Sequence, residues 1–246
     1  MERGVVGLLA ARRRMTTFAL VHGAWHGAWC WERLLAPLEA RGHGAVAVDL
    51  PAEDLDAGLD AYAGVVTAFL APVEDDVVVV GHSLNGLILP LVAARRPVAA
   101  IVYLAAFIPL EGRSMNDQFA ASPEPILLFD ERPEPDGHGR SHWPDEAVAT
   151  RALYPDLTPE DAHWAFSNLR PQAATTQREP HPAGLPPVPA VSIVGTRDTG
   201  VNPEWSRRVT RERLGAEPVE LDAGHFPMIS EPEALAGALD AVSSRP

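Results

Sequence analysis

The chain reads as an α/β protein built on a mostly parallel six-stranded sheet, with helices on both faces and a long insertion after the fourth strand. Short apolar, β-branched runs alternate with stretches of helical spacing, the pattern of strands returning through crossover helices. The alternation stops between Pro109 and Pro187 and then resumes. Three chemically capable residues, Ser83, Asp198 and His225, each come just after a strand-like run. Ligands of open parallel sheets bind at that carboxyl edge.

The elements follow in order. Thr17–Val21 is a short apolar strand, Trp29–Ala40 a helix-like segment carrying Pro37, and Ala45–Val48 a second strand closed by Asp49-Leu50-Pro51. Leu59–Leu70 has helical spacing. Val77–Val80, all valine, suits a strand covered on both faces. Leu84–Arg95 reads as the next helix and Val98–Leu104 as another buried strand. Inside the insertion, helices are expected at Asp145–Leu153 and Pro159–Leu169, the second announced by Thr158-Pro159-Glu160-Asp161 with proline in the first turn. An irregular insertion of this length, residues 109–187, reads as a lid over the sheet edge. Ala190–Val194, a helix opened by Pro203, and Pro218–Leu221 restore the pattern.

A length of 246 residues with 46% hydrophobic composition suits one core, so residues 15–246 are read as a single domain. Residues 1–14 read as a disordered leader, with Met15 as an alternative start. A formal charge of -13 speaks against nucleic acid and anionic membrane surfaces, which call for a basic patch. No apolar run reaches the roughly 18 residues of a membrane span. The single cysteine, Cys30, has no internal partner, which fits a reducing, cytoplasmic setting. No metal-ligand cluster and no phosphate-binding glycine loop stands out, so neither metal nor cofactor is expected; His138, His142, His163 and His181, all in the insertion, are read as solvated. Nothing in the chain specifies an oligomeric state.

Ser83 sits in Gly81-His82-Ser83-Leu84, between the valine strand and the following helix. A sharp turn there lifts its hydroxyl above the sheet and aims the next backbone N–H at a bound carbonyl, while glycine at 81 relieves crowding. A purely structural Gly-x-Ser turn has the same letters. A base and an acid elsewhere decide between them: His225 and Asp198 follow later strands, in the chain order nucleophile, acid, base. Asp222 is a rival acid, but three residues before His225 it is better placed for backbone or solvent. His22-Gly23-Ala24-Trp25, after the first strand, can offer the N–H of Ala24 beside that of Leu84, two donors for an oxyanion. His22 itself reads as a residue tying that loop down. Phe119, Leu127, Leu128, Phe129, Trp143, Trp164 and Phe166 are candidates for an apolar pocket under the lid, together with Trp25, Phe107 and Phe226. Each of these has a plainer reading as core.

With Leu20-Val21-His22-Gly23-Ala24-Trp25-His26-Gly27-Ala28-Trp29-Cys30-Trp31, Gly81–Leu84, the run from Leu153-Tyr154-Pro155 to Arg170-Pro171, and Gly224-His225 to Ser230-Glu231-Pro232, the chain resembles the α/β-hydrolase superfamily. It is closer to the small branch of plant methyl esterases, hydroxynitrile lyases and their bacterial relatives, over about residues 16–243. The resemblance implies Ser83 as nucleophile, His225 as base, Asp198 as acid, and Ala24 and Leu84 as oxyanion donors. It implies hydrolysis of a hydrophobic, small-molecule carboxylic ester through an acyl-enzyme. Lyases of the branch carry threonine at the place of Gly23 and lysine at the place of Phe226, so the chain looks like the esterases. Two departures stand out: Asn85 replaces a small glycine, and Trp25 a small residue. A non-hydrolytic lyase or cyclase, and a ligand-binding receptor on a hydrolase fold, remain as alternatives.

Overall fold

The computed structural model describes residues 15–74, 76–129 and 131–244. The leader expected over residues 1–14 lies outside them. In chain order the elements are β1 (Thr16–Val21), α1 (Glu32–Ala40), β2 (Gly44–Val48), α2 (Leu59–Phe69), β3 (Asp76–His82), α3 (Leu89–Arg95) and β4 (Ala100–Leu104). The insertion follows with α4 (Met115–Ala121), β5 (Arg140–Ser141), α5 (Glu146–Leu153), α6 (Pro159–Ser167), β6 (Gln172–Ala173) and α7 (Thr175–Arg178). The chain closes with β7 (Ala190–Gly195), α8 (Pro203–Leu214), β8 (Val219–Leu221), α9 (Pro227–Ser230) and α10 (Pro232–Ser243).

Six strands form one parallel sheet in the order β2-β1-β3-β4-β7-β8. Side chains alternate across it, as the period of a strand requires. Phe18, Leu20, Val78 and Val80 enter a core with Trp31, Leu34 and Leu38 around α1 and Leu235 and Leu239 of α10. Ala19, Val21, Val77 and Val79 enter the opposite core with Tyr62 and Val66 of α2, Val92 of α3 and Trp205 of α8. Both faces are therefore dry, which is why the strands read as unbroken apolar runs.

The register places the site. Val21 pairs with Gly81 across β1 and β3, so the chain leaves both strands at the same level and His22 and His82 stand side by side. β1 and β3 flank the point where the strand order reverses, the crevice of a doubly wound sheet.

Three local differences from the sequence reading have physical causes. The stretch after Ser83 begins as a tight 3-10 helix, Ser83–Ile88, before α3 takes over. Ala28–Trp31 likewise precedes α1 as a 3-10 turn. α4 was not foreseen, although Ser114 caps it and Asp117 returns the bond to the Ser114 amide. Ser-Met-Asn-Asp is a capping box and was legible. His181 is a fourth difference, because it is buried rather than solvated, its ring nitrogens within bonding distance of the carbonyls of Leu87 and Ala183. It fastens the end of the insertion to the helix after Ser83. His138 and His142 are exposed, and His163 is exposed on α6 beside Glu146.

Candidate active site

Ser83 stands at the end of β3 with φ of 52°, a left-handed conformation that a side chain tolerates only where its surroundings enforce it. The enforcement is visible. Leu89 packs so closely that a Cβ on Gly81 would lie 2.8 Å from its methyl groups, and the Ser83 carbonyl accepts the amide of Phe107 at 3.0 Å. The hydroxyl is thereby held out over the sheet edge, where His225 Nε2 lies 3.0 Å from Ser83 Oγ. On the other side of the same ring, Nδ1 donates to Asp198 Oδ2 at 2.8 Å. The second oxygen of Asp198 accepts the amides of Gly200 and Val201 at 2.7 and 2.9 Å, so the carboxylate cannot swing away. His225 and Asp198 are buried, with 5% and 4% of their surface exposed. Asp222, the rival acid, is turned outward and pairs with Arg197.

Other contacts aim the base. His82 Nε2–H donates to the His225 carbonyl at 2.8 Å, and Asp156, from the insertion, accepts the Gly224 amide at 3.0 Å. Burial drives the pKa of His82 far below the histidine range, with His225 and His26 adding repulsion, so its ring stays neutral.

The loop after β1 is clamped peptide by peptide. Leu50 N–H can only donate, so His22 Nε2 accepts it at 3.0 Å and Nδ1 carries the hydrogen. That Nδ1–H reaches the carbonyl of Gly23 at 2.8 Å. The carbonyl belongs to the peptide whose N–H is Ala24, and in a trans peptide fixing the oxygen fixes the direction of the hydrogen. The next peptide is held at both ends, its Ala24 carbonyl by His26 Nδ1 at 2.7 Å and its Trp25 N–H by Gln172 Oε1 at 3.3 Å. His26 Nε2 in turn accepts the hydroxyl of Tyr154, a buried residue at the end of α5, at 2.6 Å. Asn85 donates to the His22 carbonyl at 2.6 Å and so ties the turn carrying Leu84 to the loop carrying Ala24. Its amide supports the site and does not line the cavity. Burial lowers His22 to about 4 and His26 to about 3, so both rings work as neutral hydrogen-bonding struts at ordinary pH. Gly23 lies against the elbow: a Cβ there would stand 2.7 Å from His82 Nδ1 and 3.0 Å from Ser83 Cβ.

Ser83, His225, Ala24 and Leu84 open into a cavity of about 260 Å³. Its apolar wall includes Trp25, Phe107, Phe119, Leu127, Phe129 and Phe226. Four other candidates lie elsewhere. Trp143 is buried one layer back, its ring edge-on to Trp25 and Phe129, and therefore supports the wall without forming it. Trp164 lies on the outer side of α6, packed on Trp29 with Arg33 over its face. Leu128 is 41% exposed, its amide tied to Gly200, and Phe166 packs into the core around α1 and α10. Aromatic type alone does not tell a wall from its backing, because both need the same apolar area. His26, Gln172 and Tyr154 were missed as supports. The immediate repetition of His-Gly-Ala-Trp at residues 22–25 and 26–29 was the available signal for His26.

A serine hydroxyl hydrogen-bonded to an imidazole, itself bonded to a fixed carboxylate, on the edge of a doubly wound sheet has the geometry of a hydrolase-type site. The chain belongs to the alpha/beta hydrolase family, whose profile matches residues 18–238. Among its relatives, Methylesterase 1 of Arabidopsis thaliana is 29% identical over 92% of this chain and 95% of its own length. A probable esterase of Oryza sativa subsp. indica, PIR7A, is 38% identical over 129 residues, 47% of this chain, and the chain spans about half of that relative (49%). The crystal structure of a pyrethroid hydrolase from Sphingobium faniae JZ-2 superposes with a TM-score of 0.81 at 25% identity, covering 94% of this chain and 98% of that one.

Proposed function

We propose that this protein is a serine hydrolase of the carboxylesterase type, cleaving an ester of a hydrophobic or aromatic acid with a small alcohol, methanol included, through an acyl-enzyme. The observation that carries the proposal is the continuous relay from Ser83 Oγ through His225 to Asp198 at the floor of an apolar cavity. Esterases and methylesterases among the relatives support the same reaction class.

His225 takes the Ser83 proton as the oxygen attacks the ester carbonyl, and Asp198 stabilises the imidazolium that results. Negative charge moves to the carbonyl oxygen, where the N–H groups of Ala24 and Leu84 receive it; each such donor is worth about 3–4 kcal/mol in comparable sites. His225 then protonates the leaving alcohol, and water repeats the cycle on the acyl-enzyme. Residues 109–187 act as the lid that keeps bulk water from the cavity, and residues 15–246 form one domain. Buried, unpaired Cys30 supports a reducing, cytoplasmic setting.

Phe226 speaks for hydrolysis over the cyanohydrin-lyase alternative. Its ring stacks on His26 at 4.5 Å, so no cation stands after the base to receive a departing cyanide. A fluorophosphonate probe should label Ser83 and spare Ser83→Ala, and a panel of p-nitrophenyl and methyl esters in oxygen-18 water should place the label in the acid. Turnover without label in the acid, or labelling that survives Ser83→Ala, refutes the proposal.

A further inference from the structure

Charged side chains around the cavity differ from those on the rest of the surface. The chain is acidic, with 33 Asp and Glu against 20 Lys and Arg, and its guanidinium groups are mostly engaged. Arg33 pairs with Asp161, Arg170 with Glu53 and Asp49, Arg207 with Glu204 and Glu220, and Arg208 with Glu124 and Glu212. Arg96 and Arg213 reach backbone carbonyls. Arg132 and Arg178 have neither a hydrogen bond nor an ion pair among the described residues, and both line the cavity that contains Ser83. The third such arginine, Arg113, lies in a different surface hollow together with Asp117.

The two come from separate stretches of the insertion, Arg132 from the loop before β5 and Arg178 from the end of α7. Two carboxylates adjacent in sequence are engaged elsewhere: Glu131 pairs with Arg151, and Glu179 accepts the amide of Leu59. Among the described residues, no Asp or Glu lines the cavity. The guanidinium carbon of Arg132 stands 5.8 Å from the Phe129 ring centre and 6.0 Å from that of Phe119, so the charge sits directly on the aromatic wall. Asn116 and Gln177 add neutral donors on the same cavity.

A wall that is apolar toward Ser83 and carries two uncommitted forks of N–H donors is complementary to a molecule with a hydrophobic body and an anionic end. We infer that Arg132 and Arg178 form an anion subsite, and that the preferred substrate is an ester bearing a second, free carboxylate away from the scissile bond. The inference rests on the esterase reading for its chemistry, but the subsite itself is a binding property. It sets specificity: a neutral ester gains only the apolar wall, whereas a half-ester gains both. It also steers anions toward the cavity of a protein whose net charge is -13, an effect that salt screens.

Matched pairs of substrates test it. The p-nitrophenyl half-esters of succinic to suberic acid, set against p-nitrophenyl alkanoates of equal length, place the carboxylate on the acyl side. Para-acetoxybenzoate against para-tolyl acetate places it on the alcohol side. In at least one series the anionic member should be favoured in kcat/KM by about tenfold. That ratio should fall toward unity with Arg132→Gln and Arg178→Gln combined, through a rise in KM, and shrink with added salt. The neutral ester measured in the same variant reports whether the triad remains assembled. A wild-type ratio at or below unity in both series, or a ratio that survives the double substitution, overturns the inference. Calorimetric titration of suberate into the intact protein and into the double variant separates the two proposals. Suberate binding that needs the arginines, with no ester turned over, upholds the subsite and refutes the esterase. Hydrolysis of neutral esters without arginine-dependent suberate binding or anionic preference does the reverse.

Discussion

Residues 22–25 and 26–29 are the same four letters, His-Gly-Ala-Trp, back to back, and the structure makes opposite use of them. In both copies the histidine is fully buried and neutral. The two alanines differ in their surroundings. The N–H of Ala28 is already occupied by the carboxylate of Asp49 at 2.8 Å, which closes the second copy as a capped turn at the start of a 3-10 helix. Ala24, in the first copy, lines the cavity beside Ser83. Trp25 adopts φ of 62°, lines the cavity and donates its indole N–H to Ser141, whereas Trp29 stacks on His26 and its indole N–H finds no partner among the described residues. An amide that can hold an anion is thus a common local product of this sequence. Under the proposed mechanism it serves as an oxyanion donor only where the fold sets it on a cavity beside Ser83.

The largest effect expected from breaking this contrast comes from Ser83→Ala, which leaves the first copy as inert as the second. Ester turnover should drop by about 10⁴-fold or more while the thermal midpoint holds; parent-level hydrolysis would remove Ser83 from the mechanism.

Acid should act on both copies together. The unfolded chain binds protons at His22 and His26 near the ordinary histidine value of 6.5, while the folded chain resists until about 4 and about 3. Stability is therefore untouched above that value and falls as pH drops below it, by about 2 kcal/mol per ring at about pH 5. His82 adds in the same direction. Urea unfolding at neutral pH and near pH 5 measures the difference, and His26→Phe, which has no proton to accept, should flatten it. Equal stability at the two pH values contradicts neutral struts.

His22→Gln separates the copies. It loosens the Gly23–Ala24 peptide that the ring now holds, so kcat should fall about tenfold to a hundredfold with KM changing little. An unchanged kcat would mean that the peptide keeps its direction without the ring.

The smallest effect belongs to the occupied amide. Asp49→Ala should cost about 1 kcal/mol in urea unfolding, since the carboxylate is 66% exposed, with kcat within about twofold of the parent. A kcat loss as large as that of His22→Gln would show that the second copy also serves the reaction.

The strands were legible because both faces of the sheet are dry, and a dry strand leaves its apolar run in the sequence whatever its neighbours are. Val77–Val80 and Ala190–Val194 are of this kind. Ser83, Asp198 and His225 could be picked out because each punctuates such a run. The insertion was not readable in the same way. Its helices are short, β5 and β6 have two residues each, and Trp143 and Trp164 differ only in which neighbours they meet. Arg132 and Arg178 gave no local signal at all, since an arginine is marked as uncommitted only by the absence of a carboxylate in space.

By itself the amino-acid order determined the alternation of strand and helix, the strained serine turn and its two partners by chain order, because backbone preferences and the burial of apolar runs are local or nearly so. Tertiary structure alone decided that Val21 meets Gly81 in register and brings Ala24 to Ser83. It alone decided that Tyr154 and Gln172 reach back across more than a hundred residues to brace the loop that carries Ala24. The reason is physical: a hydrogen bond or an empty amide is defined by what stands about 3 Å away, and residues far apart in sequence come to that distance only through packing of the whole core.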